Sequence, residues 1–533
     1  MTLHERLHGM TIGSALATRA TTDPIGVYLV YGGSTLTFAE VDAQAEALAA
    51  SLANLGVGSG DRVALILPAC PEFAVSVFAA AKLGAMVVPL NPSLPTSELQ
   101  YMLRHSEAVC TVTIERHRGI DYLELFEELM PQLPALRNLV TVGEEDLWYD
   151  DRIFQYEDML SAGSGRDFSS TTPDPADRFA LLYTSGTSGK PKAVELSHGN
   201  LLWGGAATAG ALEMSGDDRV VGISALFHVF GLASGLLGAL VSGSSIVLQV
   251  EGGAAATLDT VEAVGATVHF GIPTLFVQEV AELAEHPRDL SSLRLVVVAG
   301  APVGDDLIQK LAEVFKVPIV AGYSLTETSS ILSISRPSDP EDKRRFTVGR
   351  PIPGSEVRIV DASIEDAGVL PEESVGEIRV RGPGVMVGYY RQPRQTAEAY
   401  DADGFFRTGD LGLLDEEGFL HLVGRTKDVI IRSGFNVYPR EVEAHIGSHP
   451  AVHEVAAVGI ADSLLGEVLC ACVVPVEGAI VTDQEIVDWC RETLADEKLP
   501  DLVRFIDELP RTDTGQVRRA ELSRSALAEG QSA

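Results

Sequence analysis

Thr184, Ser185, Gly186, Thr187, Ser188, Gly189, Lys190, Pro191 and Lys192 set four hydroxyls, two glycines and two ammonium groups between two apolar segments. Residues of these types in one short loop handle phosphate. Glycines let the backbone approach an anion, hydroxyls and exposed N–H groups donate to it, and lysines place positive charge beside it. The spacing is not that of a Walker loop, G-x-x-x-x-G-K-[ST], because Gly186 and Gly189 are too close together and Pro191 follows Lys190. Alone, such a loop is equally a polar turn between strands.

Further segments carry groups with chemical uses, each with a plainer reading beside it. Gly322, Tyr323, Ser324, Leu325, Thr326 and Glu327 end an apolar run with an acid, either a hard oxygen ligand or a carboxylate favoured at a helix N-terminus. Arg407, Thr408, Gly409 and Asp410 form either a turn or an acceptor for sugar hydroxyls. Arg425 and Lys427 follow Gly424, and Lys427 alone could be an exposed linker cation. His228 stands among Phe227, Val229, Phe230 and Gly231, where a histidine is more often a satisfied core residue than a catalyst.

These segments, in this order, resemble those of the adenylate-forming superfamily, which includes acyl-CoA synthetases, peptide-synthetase adenylation domains and firefly luciferase. The resemblance runs from about Leu36 to Leu522. It implies ATP, Mg²⁺ and coenzyme A as cofactors, and two steps. A carboxylate attacks the α-phosphorus of ATP to give acyl-AMP, and the thiol of coenzyme A then displaces AMP. Thr184 to Lys192 would cradle the phosphates, with Thr184 and Lys190 acting in catalysis. Tyr323, with Gly322 and Ser324 beside it, would lie against adenine, Thr326 would touch the α-phosphate and Glu327 would hold Mg²⁺. Asp410 would take the ribose hydroxyls, Arg425 would reach ribose or phosphate, and Lys427 would be the hinge. His228 would gate an acyl pocket walled by Phe227, Val229, Gly231, Val298, Gly300 and Ala301, while Gly434 and Phe435 would complete the tunnel for coenzyme A. Gly231, Gly235 and Gly238 either make room for a bulky acid or serve close helix packing.

One motif departs from the pattern. The family's P-R-T-x-T-G-K reads Pro510, Arg511, Thr512, Asp513, Thr514, Gly515 and Gln516 here. In the family that lysine bridges carboxylate and nucleotide during adenylation; glutamine donates a hydrogen bond but carries no charge. Loss of one well-placed donor costs about 10²–10³ in rate. The expectation is an enzyme poor at adenylation yet able to make the thioester, which uses the other face of the small domain, with acyl-adenylate supplied by a partner ligase. Other readings stand beside it: Arg518 or Arg519 compensates in a fully competent ligase, the acceptor is a carrier-protein thiol, or the chain binds acyl-adenylate without catalysis. Ala193 and Ser324 replace family glycines and either narrow a pocket or do nothing. No aspartate near His228 offers to hold an α-amino group, so an amine-free hydrophobic acid is expected.

The elements that must position these groups alternate. Val63–Leu67, Leu295–Val298 and Val317–Val320 read as buried strands, and Glu72–Leu83 and Asp305–Phe315 as helices, giving an α/β fold. Phe230–Leu248 reads as a buried helix followed by a strand, and Ser161–Arg178 as a loop. The resemblance adds a large N-terminal domain of layered α/β sheets with a β-barrel-like subdomain, residues 1–426, and a small mobile α+β domain, residues 427–533. Within the latter, strands are expected at Val455–Ile460 and Val468–Val474, and helices at Pro439–Ile446 and Asp483–Leu494.

At 533 residues the chain needs more than one core, and a formal charge of −35 opposes binding to nucleic acid or anionic membranes. Cys70, Cys110, Cys470, Cys472 and Cys490 show no zinc spacing and read as reduced, buried thiols. With no signal-peptide pattern and no transmembrane span, a cytoplasmic enzyme is expected. The sequence leaves the oligomeric state open, a homodimer included.

Overall fold

The computed structural model describes residues 3, 7–145, 150–168, 172–184, 191–223, 225–249, 252–301, 303–362, 364, 368–432, 435–462, 466–511 and 517–530. Two large sheets form the body. One has eight strands in the spatial order Gly388–Tyr389, Lys192–Ser197, Arg178–Thr184, Met86–Pro89, Arg62–Ile66, Cys110–Ile114, Asn138–Val142 and Ile153–Gln155. The other has nine, with Ile319–Leu325, Leu295–Val298, Val268–Gly271, Arg219–Val221 and Ser245–Val247 parallel at its centre. Parallel strands need both faces covered. Helices Phe38–Asn54, Pro71–Leu83 and His198–Ala211 supply that cover in one continuous apolar core, and Asp305–Phe315 helps close a second.

Local chemistry sets these elements. Phe38–Asn54 starts at a capping box in which Thr37 and Glu40 satisfy each other's backbone N–H groups, and it buries Val41, Ala45, Leu48 and Leu52 on one face. Pro71 opens the next helix and Gly84, at φ +71°, closes it. Residues Ser161 to Gly163, expected in a loop, finish the helix Tyr156–Gly163; its apolar side buries Tyr156 and Met159 before the polar stretch begins. Phe230–Leu237 is a π-helix that leads through Gly238–Ser242 to strand Ser245–Val247.

Where a β-barrel-like subdomain is expected, the described residues form a four-stranded antiparallel sheet, Glu356–Val360, Gly376–Arg381, Phe406–Leu414 and Leu420–Arg425, with no pairing between its first and last strands. A short 3₁₀ turn, Thr426–Asp428, separates it from Ile430–Arg432, the first strand of the last sheet. There Val452–Asp462 and Gly466–Pro475 form a long hairpin, flanked by helices Pro439–Gly447, Asp483–Arg491 and Arg519–Gly530. All five cysteines are free and buried. No helix among the described residues is long and apolar enough to cross a membrane.

Candidate active site

Several expected site residues lie at or just beyond the carboxyl ends of parallel strands, where open α/β sheets leave a crevice. Thr184 ends strand Arg178–Thr184 directly opposite Lys192 on the antiparallel return strand, and its hydroxyl donates to the Lys192 carbonyl at 3.5 Å. These two residues therefore flank, in sequence, the loop expected to bind phosphate. Ser185, Gly186, Thr187, Ser188, Gly189 and Lys190 lie outside the described residues. Strand alternation turns Ala193 away from Lys192 and into the core with Ile66 and Leu181, so its methyl group does not narrow the loop.

Strand Ile319–Leu325 carries Gly322, Tyr323 and Ser324 and runs into a 3₁₀ turn holding Thr326 and Glu327. Tyr323 donates its phenol to Asp410 Oδ2 at 2.6 Å, and Arg425 Nε lies 3.0 Å from Asp410 Oδ1. Asp410 and Arg425 are cross-strand partners, so sheet register sets this pair. Arg407 to Asp410 do not form a free turn: they sit inside strand Phe406–Leu414, which bends where Gly409 adopts φ +70°. Thr408 braces the bend, accepting from the Asp410 N–H at 3.1 Å and donating to the Ile378 carbonyl at 2.6 Å. Burial pushes the Asp410 carboxyl up, while Arg425 and then Tyr323 pull it back; burial and the Asp410 carboxylate keep the Tyr323 phenol protonated.

Glu327 is tied to a residue the sequence reading missed. Tyr389 donates its hydroxyl to Glu327 Oε1 at 2.9 Å, and Lys192 Nζ lies 4.7 Å from the centre of the Tyr389 ring. Burial raises the Glu327 carboxyl, opposed by backbone and Tyr389 hydrogen bonds and by Lys192. Nothing local in Gly388, Tyr389 and Tyr390 announces this role, because the partner lies 62 residues away and is reached only by pairing with strand Lys192–Ser197. Among the described residues no cluster of three metal-type side chains exists. A single hard carboxylate near the Lys192 ammonium nevertheless suits Mg²⁺, which binds through one or two carboxylates and substrate phosphates.

Phe227 and His228, expected to face the acyl group, are half-buried in the loop leading to the π-helix. The Phe230 N–H donates to His228 Nδ1 at 3.3 Å, so this nitrogen carries the lone pair, and burial lowers the imidazole's pKa. With its basic nitrogen occupied, His228 suits gating better than proton abstraction. Three of the residues expected to wall the acyl pocket lie in close-packed surroundings. Val229 and Val298 are buried in the core, Val298 with Ile308 and Leu311 under helix Asp305–Phe315, because alternate strand positions face the helices. Gly231 is a packing glycine: a Cβ there would lie 2.2 Å from the Ala225 carbonyl oxygen. A Cβ at Gly235 would likewise meet Ile223 at 2.4 Å. Gly300, at φ +87°, and Ala301 lie just past the end of strand Leu295–Val298.

Lys427 is exposed within the turn Thr426–Asp428, and Phe435 is 56% exposed on strand Phe435–Val437. Gly434 and Gln516 lie outside the described residues. Arg519 makes a bidentate pair with Glu443, donates to the Ala457 carbonyl at 2.7 Å and approaches Asp428 at 3.7 Å. Arg518 Nε donates to the Arg511 carbonyl at 2.9 Å. At the start of helix Pro439–Gly447, Arg440 Nη1 crosses to the Leu422 carbonyl at 3.3 Å, and its charge favours ionised Asp410.

A family model described as AMP-binding enzyme matches residues 16–390, and one described as AMP-binding enzyme C-terminal domain matches residues 441–516. A feruloyl-CoA synthase of an Amycolatopsis species is 34% identical over 519 residues, covering 96% of this chain and 98% of that protein. The crystal structure of ATP-bound MatB from Rhodopseudomonas palustris matches with a TM-score of 0.86 at 29% identity, covering 97% of this chain and 99% of that one. The anthranilate CoA ligase AuaEII, solved with anthranoyl-AMP, matches with a TM-score of 0.87 at 26% identity, covering 99% of this chain and all of that one.

Proposed function

Because the chain belongs to the AMP-binding enzyme family and is an AMP-forming acid–thiol ligase of the acyl-CoA synthetase type, we propose that it forms acyl-CoA efficiently from an acyl-adenylate but makes that adenylate slowly. A partner ligase supplies the adenylate. The acid is hydrophobic and lacks an α-amino group; the names of two relatives, for ferulate and anthranilate, make aryl acids the first to assay.

The observation that carries this reading is the commitment of the two arginines beside Gln516. Arg519 is engaged by Glu443, Asp428 and the Ala457 carbonyl, and Arg518 by Arg511. Neither can take over the role of a lysine at position 516 without giving up those contacts. Approach of the acid to ATP is then left without that positive charge.

The remaining roles are those the family motifs imply, and the contacts around Asp410 and Glu327 support two of them. Asp410, steadied by Tyr323 and Arg425, accepts the ribose hydroxyls, and the ring of Tyr323 lies beside adenine with Gly322 and Ser324. Thr184, Lys190, Lys192 and Thr326 donate to phosphates, and Glu327 holds Mg²⁺, which when bound neutralises charge on the triphosphate. His228 and Phe227 gate the acid. Residues 427–533 turn about Lys427, so that Gly434 and Phe435 complete the tunnel through which the thiol of coenzyme A attacks the acyl carbon and AMP leaves.

Two parallel assays test it, one with synthetic aryl-adenylate and coenzyme A, the other with acid, ATP and coenzyme A. The first is expected to run at least ~10²-fold faster, the size of one lost donor. Equal rates would identify a fully competent ligase, and adenylate binding without thioester would identify a binding protein.

A further inference from the structure

Tyr389 lies between two charges that a metal-bound triphosphate needs. It sits on the edge strand Gly388–Tyr389, opposite Val194, so the hairpin that presents the phosphate loop also places this ring. The main chain fixes the arrangement from two sides: the Met386 N–H donates to the Glu327 carbonyl at 2.8 Å, and the Tyr390 N–H donates to the Ala193 carbonyl at 2.8 Å. Tyr400 braces the same segment, donating its hydroxyl to the Met386 carbonyl at 2.8 Å.

We propose that Tyr389 is a positioning residue for the metal–triphosphate: its hydroxyl aims the Glu327 carboxylate, and its ring holds the Lys192 ammonium apart from that carboxylate. The proposal rests on reading Glu327 as the magnesium ligand. A phenol is a suitable partner because it is neutral. It fixes one carboxylate oxygen, Oε1, and leaves the full negative charge and Oε2 for a cation, whereas a lysine or arginine in its place would neutralise the group. The ring face meanwhile attracts the ammonium without a hydrogen bond, keeping its three donors available for phosphate. Without the ring, Lys192 and Glu327 would pair directly, and both would have to be separated before a triphosphate could use either.

Calorimetric titration with a non-cleavable α,β-methylene analogue of ATP, in Mg²⁺ and in EDTA, reads this out without turnover, and thermal melts confirm folding of each variant. In Tyr389→Phe the ring remains and the hydroxyl is lost, so the ratio of EDTA to Mg²⁺ dissociation constants is expected to fall about 10-fold, the loss falling mainly in the Mg²⁺ arm. In Tyr389→Leu both functions go, so affinity also falls in EDTA. Glu327→Gln should abolish the magnesium effect. A wild-type ratio in Tyr389→Phe alongside a lost ratio in Glu327→Gln would overturn the role of Tyr389 and leave that of Glu327 standing. A wild-type ratio in both would overturn both.

Discussion

Asp410 shows how one carboxylate would be prepared for the ribose we propose it binds. Its two oxygens are met by Tyr323 at 2.6 Å and Arg425 at 3.0 Å, and it is only 6% exposed. Two ribose hydroxyls donating to the remaining lone pairs would gain from this fixed, charged acceptor. Asp410→Asn is therefore expected to lower affinity for AMP by about 10-fold and to shrink the discrimination against 2′-deoxy-AMP, both measured by fluorescence titration. Residue types and order announced this group, but its neighbours depend on register. Nothing in Arg407 to Asp410 reveals that the motif is a strand bend braced by Thr408, or that Tyr323 reaches across 87 residues to it.

At the scale of the element, the segment Phe230–Leu248 was legible as a buried helix followed by a strand, but not as opening with a π-helix. Apolar composition signals burial, but the wider turns enclose Ser234, whose hydroxyl lies 3.0 Å from Thr208 and 2.7 Å from Ser330, contacts no local pattern encodes. Gly231 illustrates the same limit. Its spacing fitted either a roomy pocket or close packing, and the Ala225 carbonyl decides for packing. Gly231→Ala should therefore destabilise the N-terminal domain by about 1–3 kcal/mol through overpacking, read from urea midpoints. A lining glycine would instead leave stability unchanged and reshape acid preference.

Across the whole molecule, buried titratable groups and a domain contact set the response to conditions. His198 stacks on Phe179 with ring centres 4.6 Å apart, accepts the Ile12 N–H at Nδ1, and is pushed by burial down to about 4. Unfolded, its pKa is near 6.5, so below that pH the unfolded chain takes a proton the native imidazole refuses. Its share of stability is complete above pH 6.5 and is lost as pH falls toward 4, amounting to about 3 kcal/mol. His198→Gln should flatten the fall in urea midpoint between pH 7 and 4.5 relative to wild type; parallel curves would contradict the assignment. Arg440 spans from the last sheet's side to the Leu422 carbonyl. Arg440→Ala should loosen that docking, so limited proteolysis near residues 426–428 should quicken in the nucleotide-free protein.

Central to this account is that position 516 slows the first half-reaction and spares the second. The direct measurement is single-turnover pyrophosphate release from acid and ATP, beside coenzyme A transfer from preformed adenylate, in wild type and Gln516→Lys. A lysine is expected to raise adenylation about 10²-fold and to leave transfer within about twofold. Wild-type adenylation as fast as transfer, unimproved by the lysine, would contradict it.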